Sequence, residues 1–543
     1  MYKNNEIWVA SANGKKISIL PKMANRHGLI AGATGTGKTV TLKVMAESFS
    51  DCGVPVFLAD VKGDLAGMCR PGEDSENMKK RIERFGLAEE GFSWQRYPVC
   101  FWDIFGEAGI PLRTTISEIG PTLLARLMDL NATQSDILRV VFKIADDNEL
   151  LLLDIKDLKA MLQYVYENAK EYSAEYGNMA KQSITAIIRA VVSLEEAGGD
   201  QFFGEPALNI RDWFAADMSG RGTINILDCQ KLINSPLLYS TFMLWMMSEL
   251  FETLPEAGDA EKPRMVFFFD EAHLLFDNAP KALLQKIEQV VKLIRSKGVG
   301  IYFITQNPSD IPDGVLAQLG NKVQHALHAY TPAEQKKVKA AAESFRANPA
   351  FDTMEAITEL GIGEALISFL DMDGRPSVVE KCSVLPPRSH MGAIDGAVRK
   401  QETEQNLLFL RYEQSVDRES AYELLAKRVA DETAQKQSEK EELLRAKEEE
   451  KQRKLEEKEA ERLKKQEERE AEKAKKQQEM AAERAKKQQS AAIGRVAKTA
   501  TGTIGREIGN EIGKSVGGSF GKRLGGNIGA ALGRGILDTL FKF

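Results

Sequence analysis

Gly32-Ala33-Thr34-Gly35-Thr36-Gly37-Lys38-Thr39 fits the P-loop pattern at every fixed position, and few eight-residue stretches limit a fold so tightly. The apolar run Gly28-Leu-Ile-Ala before it reads as the strand that such a loop must leave, and a helix is expected to begin near Lys38. Glycines let the backbone curl so that successive N–H groups point inward at phosphate oxygens, and the helix adds the positive end of its dipole. The loop is therefore expected to cradle the phosphates of ATP, with Lys38 reaching the β- and γ-phosphates and Thr39 reaching Mg²⁺.

A second site must hold the metal and activate water. Met265-Val-Phe-Phe-Phe269 is a continuous apolar run, the pattern of a strand buried on both faces, and it ends in Asp270-Glu271 where such a sheet opens to its ligand crevice. Asp270 is expected to hold Mg²⁺ through water. Glu271 points differently and suits a general base that orients the attacking water. A further buried strand, Val299-Gly-Ile-Tyr-Phe-Ile304, ends in Thr305-Gln306-Asn307-Pro308, where the amide of Gln306 can sense the γ-phosphate or the water without altering the charge balance. Between these strands, Lys292-Leu-Ile-Arg295-Ser-Lys297-Gly298 places a basic cluster at a helical C-terminus. Compensation of the helix dipole ahead of a glycine cap accounts for it. The sharper reading makes Arg295 an arginine finger inserted into a neighbouring subunit's nucleotide.

On these motifs the chain resembles the HerA/FtsK superfamily of RecA-type ring ATPases, and within it the bacterial YjgR-type, HerA-like branch. The residues that carry the resemblance are Arg26-His27-Gly-Leu-Ile-Ala-Gly32 through Thr39, Leu58-Ala-Asp60-Val-Lys-Gly63-Asp64, Phe202-Phe-Gly204-Glu205-Pro206, Phe269-Asp270-Glu271-Ala-His273 and Thr305-Gln306-Asn-Pro-Ser-Asp310-Ile-Pro312. The resemblance implies Mg²⁺-dependent ATP hydrolysis in a homo-oligomer, a hexameric ring, coupled to moving DNA. It also implies an arginine acting in trans some twenty-odd residues past the base, which matches Arg295. One departure stands out: HerA proper carries a β-barrel before its P-loop, whereas about thirty residues precede Gly32 here, enough for a short hairpin around Asn13-Gly14.

Composition fits a large intracellular enzyme. With 543 residues the chain can bury a sizeable core. Cys52, Cys69, Cys100, Cys229 and Cys382 show no CxxC spacing, and their odd number argues against a disulfide framework, so the reducing cytoplasm is the expected location. No secretory signal opens the chain and no uncharged stretch reaches transmembrane length. A net charge of −6 does not favour nucleic acid, although a ring can keep its basic residues inside the channel.

The expected fold is α/β: a RecA-like P-loop NTPase core with an inserted helical subdomain and a long helical C-terminal extension. Residues 1–110 form the first part of the core with its hairpin, 111–215 the helical insertion, 216–400 the second part, 401–490 a charged helical extension and 491–543 a glycine-repeat tail. In the second part, Phe242, Met243, Trp245, Met246 and Met247 read as core packing, and Glu364–Leu370 turns at Asp373-Gly374 into a hairpin expected at the sheet edge. His325 and His328 suit a helical face or a strand equally well and are assigned no metal. His27 reads as a packing or base-contact residue.

In the extension, Glu441/Arg445, Glu450/Lys454, Glu461/Lys465 and Glu483/Lys487 are pairs four apart that favour helix, while apolar positions are too sparse for a heptad seam. Fully helical, residues 432–490 reach roughly 90 Å. The tail repeats glycine every fourth residue from Gly505 to Gly533, each preceded by an apolar residue. Such a stretch needs a partner to be ordered: itself in neighbouring subunits, a membrane surface or another protein. A disordered tail is the alternative. Two functions therefore compete, an ATP-driven ring that translocates nucleic acid and an ATPase that drives a protein or membrane-associated scaffold.

Overall fold

The computed structural model describes residues 1–258, 260–276 and 281–489. Its sheet holds thirteen strands among the described residues: β1 (Tyr2–Lys3), β2 (Glu6–Ala12), β3 (Lys15–Ile19), β4 (Gly28–Ala31), β5 (Val56–Asp60), β6 (Val99–Asp103), β7 (Ile110–Pro111), β8 (Ile224–Asp228), β9 (Met265–Phe269), β10 (Val299–Thr305), β11 (Asn321–Gln324), β12 (Glu364–Ser368) and β13 (Glu380–Val384). The order is β1-β2-β13-β12-β11-β4-β10-β9-β5-β8-β6-β7, with β3 paired to β2. From β11 to β7 every neighbouring pair is parallel. In β4, β5, β8, β9 and β10 every residue is buried, as expected of strands covered on both faces. The RecA-like signature is the interposition of β10 between β4, which leads into the P-loop, and β9, which leads to Asp270.

The other side of the sheet corrects one expectation. The β12–β13 hairpin is not at the edge, because β13 pairs antiparallel with β2 through Ser383↔Ser11 and Val384↔Ala10. An outermost β13 would leave a row of backbone donors and acceptors unpaired, and the N-terminal hairpin supplies their partners. That hairpin turns at Asn13 and Gly14, with φ of 47° and 82°, the left-handed pair that a type I′ turn requires. Its Ile7 and Val9 side chains are fully buried beneath the sheet.

Helix α1 (Lys38–Asp51) follows the P-loop. Helices α2 (Ile116–Leu127), α3 (Ala132–Asp147), α4 (Ile155–Glu167) and α5 (Lys181–Leu194) make up the helical layer. Thr115, Asn131 and Asp154 open the first three with capping boxes, which satisfy donors that a helix start leaves free. Apolar residues three and four apart, such as Ile137, Leu138, Val141 and Ile144 on α3, face one continuous cluster that also contains Trp102, Trp213 and Phe267 of the sheet region. The layer thus shares the sheet's core. Helix α6 (Pro236–Thr253) sinks Phe242, Met243, Trp245, Met246 and Met247 into that cluster, the packing role expected for them. Helix α7 (Lys281–Ile294) runs back to β10.

Two compact units divide the chain, Met1–Lys436 and Gln437–Phe543. In the first, helix α8 (Ala421–Gln489) begins where Ser420 Oγ donates to Asp157 Oδ1 at 2.6 Å and the Tyr422 N–H donates to the same oxygen at 2.9 Å. In the second, Glu450–Lys454 and Glu461–Lys465 form ion pairs at 2.6 and 2.7 Å, and Leu443, Leu444, Leu455 and Leu463 are exposed. The glycine-repeat tail lies outside the described residues. Among the described residues, no helix is long and apolar enough to cross a membrane.

Candidate functional site

Backbone contacts hold the P-loop from both sides. The Gly32 N–H donates to Thr305 O at 3.2 Å, the Ala33 N–H to Ala326 O at 2.8 Å, and the Gly363 N–H to Thr36 O at 3.0 Å. Gly32 lies at φ 154°, and a Cβ there would come within 2.5 Å of His325 Cβ, so this position admits no side chain. His325 sits under the loop with Nε2 2.8 Å from Thr41 Oγ1 and Nδ1 2.9 Å from Glu364 O. A carbonyl only accepts, so Nδ1 carries the proton and Thr41 donates to Nε2. Burial pushes its pKa down to about 4, which keeps the ring neutral.

Helix α1 starts differently from its neighbours. Gly37, its N-cap at φ 116°, brings no capping side chain. The first N–H groups of a helix have no intrahelical acceptor, so here they remain donors for an anion, beside Thr34 and Gly35 at the loop's exposed turn. Lys38 folds over the loop, Nζ donating to Gly32 O at 2.6 Å and Ala33 O at 3.1 Å. Burial lowers its pKa, opposed by the negative charges of Glu271 and Asp270. The donor set fits a nucleotide's phosphates. Thr39, half-buried on the first turn of α1, and Asp270 offer hydroxyl and carboxylate oxygens, the hard donors that Mg²⁺ takes alongside phosphate and water.

Along the same sheet edge four neighbouring strands each end in an aspartate: Asp270 after β9, Asp60 on β5, Asp228 on β8 and Asp103 on β6. Each caps its own loop. Asp60 accepts from the Gly63 and Leu65 N–H groups at 2.7 and 3.2 Å, Asp103 from Phe105, Glu107 and Ala108, and Asp228 from Gln230. Burial lifts Asp60 to about 7 and Asp270 to about 6. Arg399 compensates Asp228 at 2.9 Å.

Register brings the expected site residues level. Thr305 lies opposite Ala31 and Phe303 opposite Phe269, so the loops after β4, β10 and β9 leave the sheet side by side. Two strand spacings, about 10 Å, separate the P-loop strand from the Asp270 strand. Glu271 adopts φ 46°, a left-handed conformation that costs a non-glycine residue about 1 kcal/mol or more and marks a position held by its surroundings. Its Oε1 lies 2.6 Å from Lys62 Nζ, and its Oε2 lies 3.4 Å from both Gln306 Nε2 and His273 Nδ1. Burial would raise the carboxyl pKa, but the Lys62 hydrogen bond and charge outweigh it and hold it below the ordinary value.

Lys38, Asp270, Glu271 and Gln306 therefore converge with the P-loop. Arg295 does not. It is exposed ahead of β10, at the opposite edge of the sheet, where it lines a cavity of about 320 Å³ with Arg26, Lys22, Asn25 and Lys292. Gly298 at φ 80° caps this turn, its N–H donating to Arg295 O at 2.9 Å. His27 is a packing residue: Nδ1 accepts from the Ile301 N–H at 3.0 Å in the core. Lys62 and His325 are the site residues that sequence reasoning gave no part in it. The signal for Lys62 was present, a lysine in a glycine turn just past the acid that ends a strand.

The helicase HerA-like C-terminal family matches residues 5–540. The DNA double-strand break repair helicase HerA of Saccharolobus solfataricus is 21% identical over 375 residues, 67% of this chain and 66% of that protein. Its namesake in Sulfurisphaera tokodaii is 22% identical over 370 residues, 65% and 64% of the two chains. The alignments thus span just under two thirds of these relatives. A solved structure of the bacterial conjugative coupling protein TrwB, in its trigonal form with sulphate, superposes with a TM-score of 0.49 at 14% identity, covering 72% of this chain and 91% of that one. With nearly its whole length matched, the chain belongs to the helicase HerA-like C-terminal family.

Proposed function

We propose that the chain is a Mg²⁺-dependent ATPase of the HerA/FtsK type whose turnover drives translocation of nucleic acid through a homo-oligomeric ring. The observation that carries this reading is the convergence of Lys38, Asp270, Glu271 and Gln306 at one sheet edge, with the P-loop strand and the acidic strand separated by β10. The P-loop N–H groups and Lys38 bind the β- and γ-phosphates. Thr39 and Asp270 would hold Mg²⁺, whose charge would offset that of the phosphates. Glu271 takes a proton from the attacking water as the water oxygen bonds to the γ-phosphorus and the bond to the ADP oxygen breaks, while Gln306 orients that water.

Arg295 lies too far from its own P-loop to serve it and is assigned to a neighbouring subunit's nucleotide. DNA as the moved polymer is supported by the names of the two HerA relatives. The net charge of −6 and the exposed charged helix beyond Lys436 favour the second reading, an ATPase that drives a protein or membrane-associated scaffold, with the tail as its contact. ATP turnover with and without single- and double-stranded DNA, beside a particle-mass measurement, separates the two. Stimulation by DNA in a multi-subunit particle supports the motor; indifference to both DNAs supports the scaffold.

A further inference from the structure

We propose that Lys62 is a latch on Glu271, a positioning residue that keeps the carboxylate engaged until the terminal phosphate of a bound nucleotide draws the lysine away. The inference rests on Glu271 being the base. Lys62 stands two residues past Asp60, in a turn whose backbone is fixed by the Gly63 and Leu65 N–H groups bonding that carboxylate. Gly63 lies at φ 77°, and a Cβ there would meet the Gln230 amide at 2.7 Å, so the turn itself is clamped between two loops. The Lys62 side chain is different: 42% of it is exposed, on a four-carbon stem free to swing, while the Glu271 side chain is 7% exposed.

With Lys62 at 2.6 Å on Oε1, and Gln306 and His273 at 3.4 Å from Oε2, the Lys62 contact is the tightest of the three, and its positive charge lowers the basicity that Glu271 offers a water. Releasing that contact restores the basicity, and the phosphate is the competitor that can release it. Lys38 Nζ lies on the P-loop carbonyls of Gly32 and Ala33, and Lys62 is near enough to it for the two ammonium groups to oppose each other's charge, so a phosphate drawn to Lys38 also acts on Lys62. A phosphate there carries more negative charge than one carboxylate and presents several acceptor oxygens to the swinging ammonium. Nucleotide binding then both frees the base and seats a cation on the reacting group.

Full-length Lys62→Met, which keeps the stem and loses the charge, tests this beside Lys62→Arg and the wild type, with Lys62→Gln in its place should Met lower the melting temperature. Read out are ATP turnover without DNA and equilibrium binding of ADP and of a non-hydrolysable ATP analogue. Because only the terminal phosphate draws on the Lys62 ammonium, the neutral variant is expected to lose about three- to tenfold of the preference for the analogue over ADP, and Arg to stay near wild type. A lysine that merely supports the fold weakens both nucleotides alike. An unchanged or larger preference for the analogue in a folded neutral variant overturns the latch while leaving the base in place. Full turnover in Glu271→Gln overturns the base assignment and the latch with it.

Discussion

Arg295 and Gln306 stand at opposite ends of one strand, β10, whose seven residues lie between them. At the usual rise that is about 20 Å or more, so a guanidinium at one end cannot touch a phosphate bound at the other end of the same chain. Any catalytic part for Arg295 is therefore played across a subunit boundary.

Arg295→Ala is accordingly expected to lower turnover by about 1,000-fold with little change in ATP affinity, because a finger stabilises charge that develops in the transition state. Rings that mix Arg295→Ala with Glu271→Gln subunits should recover part of the lost rate, since some interfaces then combine an intact arginine with an intact base. No recovery in rings shown to be mixed would leave Arg295 as a helix-end charge beside a glycine cap.

Lys38→Ala should abolish turnover and weaken nucleotide binding, as it removes the cation that closes over the P-loop. Glu271→Gln should bind ATP like the wild type yet hydrolyse it at least about 100-fold more slowly, since the amide keeps the shape and loses the basicity. Filter retention of labelled ATP, compared with phosphate release, separates binding from chemistry.

His27 gives the fold an acid-sensitive point. Its Nδ1 accepts from the Ile301 N–H, and burial pulls its pKa from 6.5 to about 4. Between those values the unfolded chain binds the extra proton, so the stability conferred by the neutral ring is complete above pH 6.5 and is lost as pH falls through 4. The slope approaches about 1.4 kcal/mol per pH unit for this one group. His27→Asn tolerates the left-handed φ of 55°, offers Oδ1 to the Ile301 N–H and should flatten that slope in a comparison of denaturant melts from pH 7.5 to 4.5. Asp60 and Asp270, raised to about 7 and 6, act in the opposite sense, so the difference between variant and wild type is the quantity to read.

Removing 437–543 should leave the melting temperature of the remaining unit within about 2 °C, because its core contacts end with the first turns of α8, near Leu425 and Arg428. Removing 491–543 alone should change particle mass or membrane co-sedimentation. Identical behaviour in both assays would assign the tail no part in assembly or surface attachment.

What could be read from the sequence was what is local. The P-loop, the strand ending at Asp270, the strand ending at Thr305 and the helix repeats around Ile137 each declare themselves within a dozen residues, through turn chemistry or apolar period. Pairings between distant segments do not. Lys62 and Glu271 are 209 residues apart, and Thr41 and His325 are 284 apart, so nothing in either neighbourhood names the other. The β12–β13 hairpin was legible as a hairpin, yet its position was not, because its outer partner β2 lies at the far end of the chain. Arg295 was legible as a basic helix end and, on the sharper reading, as an arginine finger; that it stands at the end of β10 away from the P-loop follows from the direction of that strand.

The stitching of the P-loop to Ala326 and Gly363 gives the sheet a mechanical polarity. Thr36 and Ala33 are fastened to the antiparallel side, where β11, β12, β13 and β2 form one hydrogen-bonded raft, while Asp60, Asp103 and Asp228 cap loops on the far side of β9. The N-terminal hairpin is joined to the phosphate loop through Gly363, whose N–H bonds Thr36 and whose carbonyl accepts from the Val384 N–H on the strand that β2 pairs. A shift of the loop at Thr36 is therefore felt within one residue at the strand that carries the hairpin.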